Sequence, residues 1–208
     1  MVESVLTAAA QEDIKIISSL PFIGQFYLAG GTGCALHLGH RISEDLDFFS
    51  ERPFSHMEVR DSLAGRGTFI TDYSDSQTLV GRFKSTKTGF FHYGYPLIKE
   101  THDFLSLHVA SLEDIGSMKI DTISARGKKR DFIDLYFILE HGHLSLKEFF
   151  SNFEFKYHHA GFNLHHILKS LVYFDDAEPD PVPRMLREFS WDSLKAFFRQ
   201  QIKDFGVR

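Results

Sequence analysis

In the stretch LAGGTGCALHLGHRISEDLDFF, residues 28–49, a Gly30-Gly31-Thr32 turn is followed, after a short apolar segment, by Asp45 and Asp47. In a β-strand alternate side chains share a face, so Asp45, Asp47 and Phe49 point one way while Leu46 and Phe48 enter the core. Carboxylates so placed, with backbones roughly 6 to 7 Å apart, can chelate one hard cation between them. Magnesium, or manganese in its place, takes one or two protein carboxylates and completes its shell with substrate phosphates. The glycine turn lets backbone N–H groups approach an anion closely, and a helix N-terminus behind it adds positive potential. A phosphate cradle beside a metal clamp is what a nucleoside triphosphate requires. Taken singly, each part has a plainer reading: Asp-x-Asp decorates many turns and solvated strand ends, and Gly-Gly before Thr is an ordinary way to begin a helix. Their joint occurrence in one short unit favours the chemical reading.

A second constellation lies in IGSMKIDTISARGKKRDFIDLYFIL. On a helix starting near Leu112, Lys119 occupies the row Leu112, Ile115, Lys119, Ile123, where an apolar residue is expected. A buried cation needs a partner. The following segment is apolar nearly all round yet carries Asp131 and Asp134 on one side of its first turn. If the helices fold back across Gly127, Lys119 meets Asp134. The alternative is a snorkelling lysine, with two carboxylates that merely favour a helix N-terminus. The run Arg126, Lys128, Lys129, Arg130 reads as a solvated loop or, in an otherwise acidic chain, as a contact for acceptor phosphates.

The elements that must position these groups follow from periodicity and punctuation. QEDIKIISSL has helical spacing, Pro21 marks a turn, and QFYLAG is a short strand ending at Gly30. Thr32 is expected to cap a short helix TGCALHL that stops at Gly39, and DLDFF forms the next strand. SHMEVRDSLAGRG is helical, and TFITDY, TLVGRFKS and KTGFFHYGYPL are three further strands of the same sheet. SLED opens a helix like a capping box, RGKKR interrupts it, and DFIDLYFILEH resumes. Helices ending in ILKSLVYF and carrying WDSLKAFFRQQIKDF flank the bend DAEPDPVP.

Bulk properties set the frame. The chain has 208 residues, a formal charge of -5 and 22 phenylalanines, enough for one large aromatic core with a smaller appendage. The acidic balance argues against indiscriminate polyanion binding, so nucleic-acid contact must come from a local basic patch. A single cysteine, Cys34, excludes an internal disulfide; with no signal-like or membrane-spanning segment, a cytoplasmic location away from any membrane is expected. The expected fold is α+β: a small mixed sheet flanked by helices over residues 1–143, with a helical C-terminal region over residues 144–208.

LAGGTGCALHLGHRISEDLDFF and SMKIDTISARGKKRDFIDLYFIL, together with FFHYGYPLI and LVYFDDAEPDPVPRML, resemble the AbiEii/AbiGii-type nucleotidyltransferases. These are toxins of type IV toxin–antitoxin and abortive-infection systems, within the DNA polymerase β-like superfamily. The resemblance spans most of the chain. It implies that Gly30, Gly31 and Thr32 bind phosphate, that Asp45 and Asp47 bind the metal, that Lys119 is the lysine of a third motif, and that Asp131 and Asp134 are the acidic pair of a fourth. It further implies transfer of a nucleotide from an NTP with Mg2+ (or Mn2+), in some members onto tRNA or another RNA, and a cognate antitoxin as partner. One departure stands out. Such transferases commonly carry a third carboxylate on a neighbouring strand, and KTGFFHYGYPL has none; Asp72, Asp103, Asp121 or Asp131 are the substitutes on offer. The missing carboxylate keeps a rival open, a non-catalytic nucleotide- or RNA-binding protein of the same fold. The histidine pairs His158-His159 and His165-His166 complete no metal site, and Cys34 and Trp191 read as core.

Overall fold

The computed structural model describes residues 1–206. Seven strands form one mixed sheet: β1 (Tyr27–Leu28), β2 (Leu46–Ser50), β3 (Phe69–Ser74), β4 (Thr78–Phe83), β5 (Thr86–His92), β6 (His102–Phe104) and β7 (Leu107–Val109), in the order β3-β4-β5-β2-β1-β7-β6. Strand β2 is the central strand of the seven, and its burial alternates along its length. Leu46, Phe48 and Ser50 are buried while Asp47 and Phe49 on the other face are half-exposed. It runs antiparallel to β1 and parallel to β5, with Asp47 opposite Gly89. Two faces give two cores. Leu28, Leu46, Phe48, Leu79, Phe83 and Phe90 pack under helices α1 (Ala8–Ile17) and α3 (His56–Ala64). Tyr27 and Phe49 face the other way, toward the remaining helices.

The glycine turn differs from expectation. Helix α2 (Gly30–Leu38) begins at Gly30, with Ala29 in the capping position, so Thr32 lies inside the first turn and caps nothing. Its hydroxyl is drawn to a tertiary partner instead: it donates to the Asp45 carbonyl and lies 2.8 Å from Ser43 Oγ. Asp45 in turn sits just ahead of β2 rather than in it.

Helices α4 (Leu112–Arg126) and α5 (Lys129–Gly142) form the expected hairpin across Gly127, whose left-handed φ of 53° ends α4. Ser111 caps α4 by accepting from Asp114 N at 3.0 Å. Past α5 come α6 (Leu146–Tyr157), α7 (Leu164–Ser170) and α8 (Trp191–Phe205). Helix α6 has a full capping box from Ser145 and Glu148; α7 ends at Ser170, short of the LVYF expected to continue it. Phe132 of α5 explains why that helix is apolar all round, since it packs on Phe174, Phe198 and Trp191 with centroids 5.1, 5.8 and 6.1 Å away. The sequence reading also missed the β6–β7 hairpin, whose turn puts Leu105 and Ser106 both at positive φ.

The bend after Phe174 returns to the sheet. Arg41 pairs antiparallel with Met185, Ile42 N donates to Arg184 O at 2.8 Å, and Leu186 N donates to His40 O at 2.8 Å. The Pro-rich segment is thereby strapped across the link between α2 and β2.

Candidate active site

A cavity of about 820 Å³ opens where these pieces meet. Gly30, Gly31 and Thr32 from α2, Asp45 and Asp47 from the β2 edge, Lys119 from α4 and Asp131 from α5 all line it. Residues some seventy positions apart in the chain thus share one concave surface. Asp134 does not join them. It is fully buried beneath the cavity floor.

The glycine turn and the carboxylate pair touch. Gly30 has φ +60°, and a β-carbon on it would lie 3.1 Å from Asp47 Oδ2, so glycine is needed both for the backbone and for the approach. Burial pushes the Asp47 carboxyl above its ordinary range, and the neighbouring charge of Asp45 pushes the same way. Two acids facing one cavity, one disfavoured as an anion by the other, make a donor set of hard oxygens whose charge a divalent cation would relieve. The residues present therefore fit a Mg2+ or Mn2+ ion. A second group of donor atoms does not. Cys34, His40 and Asp134 bring theirs within 4.8 Å of one another, but burial holds the Cys34 thiol protonated and the Asp134 oxygens are already occupied.

What occupies them is the main feature that sequence reasoning missed. Arg41 grips Asp134 bidentately, Nε to Oδ1 at 2.7 Å and Nη2 to Oδ2 at 2.9 Å. His40 Nε2 lies 2.8 Å from Oδ1, and Lys119 Nζ reaches Oδ2 at 2.6 Å. Burial alone would raise the Asp134 pKa, yet Arg41 and Lys119 hold it well below the carboxylate range. Burial likewise works against the Lys119 charge, but Asp134 and Asp131, the latter 2.7 Å from Nζ, hold its pKa up. The expected ion pair of Lys119 is thus present, doubled. The guanidinium of Arg41 also underlies the glycine turn, where a β-carbon on Gly31 would collide with Nη2. The only signal in the sequence was a polar Gly-His-Arg sitting where a plain loop would suffice.

The basic run divides. Arg126, Lys128 and Arg130 line the cavity rim, with Arg126 against Asp131 at 3.3 Å and Arg130 Nη1 3.8 Å from Asp45 Oδ2. Lys129 does not belong with them. It is 6% exposed, donates to the carbonyls of Glu178 and Asp180 at 3.0 and 2.6 Å, and lies over the Trp191 ring. It pins the Pro-rich strap, because an ammonium at that helix start is enclosed by backbone carbonyls. Strand β5 offers Lys87, Gly89 and Phe91 to the site and no carboxylate. Of the substitutes, Asp121 lines the cavity, with its pKa raised by burial. Asp72 and Asp103 lie outside it, paired with Arg82 and His108.

A mixed sheet that sets a glycine turn against a carboxylate pair on the wall of a charged cleft is the layout of a nucleotidyltransferase. The chain belongs to the AbiEii family, the nucleotidyl transferase toxins of type IV toxin–antitoxin systems, whose model matches residues 15–96 and 92–205. It is 34% identical over 199 residues to an uncharacterized protein of Aquifex aeolicus (strain VF5), covering 94% of this chain and 95% of that one. Two solved Helicobacter pylori structures share the fold at 17% identity. One is JHP933, with TM-score 0.52 over 97% of this chain and 95% of that one; the other, provisionally assigned as a nucleotidyltransferase, has TM-score 0.51 over 93% and 91%. Among the described residues no helix is long and apolar enough to cross a membrane.

Proposed function

We propose that this nucleotidyltransferase moves the nucleoside monophosphate of an NTP onto a hydroxyl of tRNA or another RNA, and that a cognate antitoxin restrains it. The contact between Gly30 and Asp47 carries the reading, because it seats the phosphate turn against the carboxylates with no room for a side chain between. Asp45 and Asp47 would hold a divalent cation, which when bound neutralises phosphate charge. The backbone N–H groups of the Gly30-Gly31 turn and the start of α2 receive the triphosphate. The acceptor hydroxyl gives up its proton to solvent as its oxygen forms a bond to the α-phosphorus, the bond from that phosphorus to the bridging oxygen breaks, and pyrophosphate leaves.

Lys119 has three N–H donors, of which two go to Asp131 and Asp134. The third is available to a phosphate oxygen in the cavity that Lys119 lines, so the acidic pair positions the lysine while the lysine offsets charge on the departing group. In this role Asp131 and Asp134 act through Lys119. Arg126, Lys128 and Arg130 supply the rim that an RNA backbone would cross.

The test is incubation with each labelled NTP and total RNA, with Mg2+ or Mn2+, and with Asp47→Asn as control. Label appearing in RNA for the unaltered chain alone supports the reading. Label retained with Asp47→Asn, or appearing only in protein, refutes it.

A further inference from the structure

Phe91 has no part in the chemistry described so far, yet it lies beside the carboxylates. Its ring folds back over Gly89: a β-carbon on Gly89 would lie 2.5 Å from that ring and 3.2 Å from Asp47 Oδ1. Gly89 is the residue paired with Asp47 across β2 and β5. The ring thus fills the ground next to Asp47 where a strand carboxylate was expected. Phe91 is half-buried and stacks on Phe49, with centroids 5.0 Å apart and planes at 26°, and both rings line the cavity. An aromatic face left open inside a charged cleft loses part of the burial that would justify it as core.

Its side of the site matters. The order β5-β2-β1 puts the glycine turn on one flank of Asp47 and Phe91 on the other. Attacking and leaving oxygens at phosphorus lie roughly in line. With pyrophosphate toward the glycine turn, the acceptor must approach over β5. There it meets the Phe91 ring and Lys87, an exposed cation on the same strand face that also lines the cavity. A stacking face with a cation for the backbone is how proteins hold single-stranded nucleic acid.

Resting on the transferase reading above, we propose that Phe91, backed by Phe49, stacks the last base of a single-stranded RNA 3′ end, and that Lys87 holds the phosphate behind it. The free hydroxyl of that terminal ribose then lies next to Asp47. A serine or threonine hydroxyl carries no flat ring to place there. The aromatic wall therefore selects an unpaired nucleic-acid end as the acceptor.

The test separates binding from turnover. Affinity for a short single-stranded oligoribonucleotide is measured by fluorescence anisotropy without NTP, and affinity for an NTP with Mg2+ by calorimetry without RNA. Phe91→Leu keeps the site apolar and removes the π-face; it should weaken the oligonucleotide about tenfold or more and change NTP affinity less than about twofold. Phe91→Tyr should restore binding, and Phe91→Trp should add an indole whose emission is quenched by the oligonucleotide. Lys87→Gln should lower the salt dependence of RNA binding by about one phosphate's share. Equal loss of both ligands, or loss of NTP alone, would assign the ring to the incoming nucleotide and overturn the proposal. So would unchanged oligonucleotide binding in Phe91→Leu, or no binding by the unaltered chain. If RNA binding responds as expected but no NTP is ever transferred, the subsite stands and the transferase reading falls.

Discussion

At the scale of single residues, Asp47 on the cavity wall and Asp134 buried beneath it are both acidic, yet they are held for opposite ends. The structure opposes charge on Asp47 and supports it on Asp134. Asp47→Asn should therefore leave the melting temperature of the metal-free protein unchanged or slightly raised, while transfer falls on the order of a thousandfold or more, as loss of metal-borne charge stabilisation implies. Asp134→Asn should do the reverse in stability, stranding Arg41 and Lys119 at a cost of roughly 3 to 5 kcal/mol. The sign with pH follows. The folded-state pKa of Asp134 is depressed, so its contribution is complete above the unfolded value of about 3.9 and is lost as pH falls through the lower folded one. Urea midpoints of the unaltered chain and Asp134→Asn should differ most near neutrality and converge in strong acid; a constant gap would deny Asp134 its charge.

At the scale of elements, the helix start at Gly30 and the link from Gly39 to Asp45 behave as one part. Gly31→Ala presses a methyl group into the Arg41 guanidinium, and should cost about 1 to 3 kcal/mol and raise the KM for NTP. Gly24→Ala is the control: nothing lies within 4 Å of its added carbon, so denaturation and kinetics should be nearly unaffected. This part was half legible. The alternation of Leu46, Asp47, Phe48 and Phe49 announced the strand and its two faces, and Lys119 on an apolar row announced a buried ion pair. Arg41 and His40 were not readable, since their partner lies 93 and 94 residues away and no local period links them. Thr32 looked like a cap because its preferred cap geometry is local, whereas the hydrogen bond that won is the one it donates to the Asp45 carbonyl.

At the scale of the whole molecule, seven of the 23 lysines and arginines of this acidic chain line one cavity. Replacing Arg126, Lys128 and Arg130 by glutamine should flatten the dependence of RNA affinity on salt, by up to about 0.7 for each single-strand phosphate no longer neutralised, with folding intact. Lys129→Ala should instead lower the melting temperature and leave the slope alone, because that ammonium is spent on Glu178 and Asp180. Sequence could not part the neighbours: a run of like charges reads as solvated until the strap that buries one member is seen. The layered α+β plan and the helical C-terminal region were legible from period and punctuation, while the β6–β7 hairpin, with strands of three residues each, was too short to leave a pattern.

The bridge between Arg41 and Met185 also has a meaning in time. Ribosomes deliver the glycine turn and both carboxylates early, but the segment that braces them emerges only with the last part of the chain. A polypeptide cut short before that point carries every residue of the phosphate turn and metal pair without the strap that holds Arg41 in place.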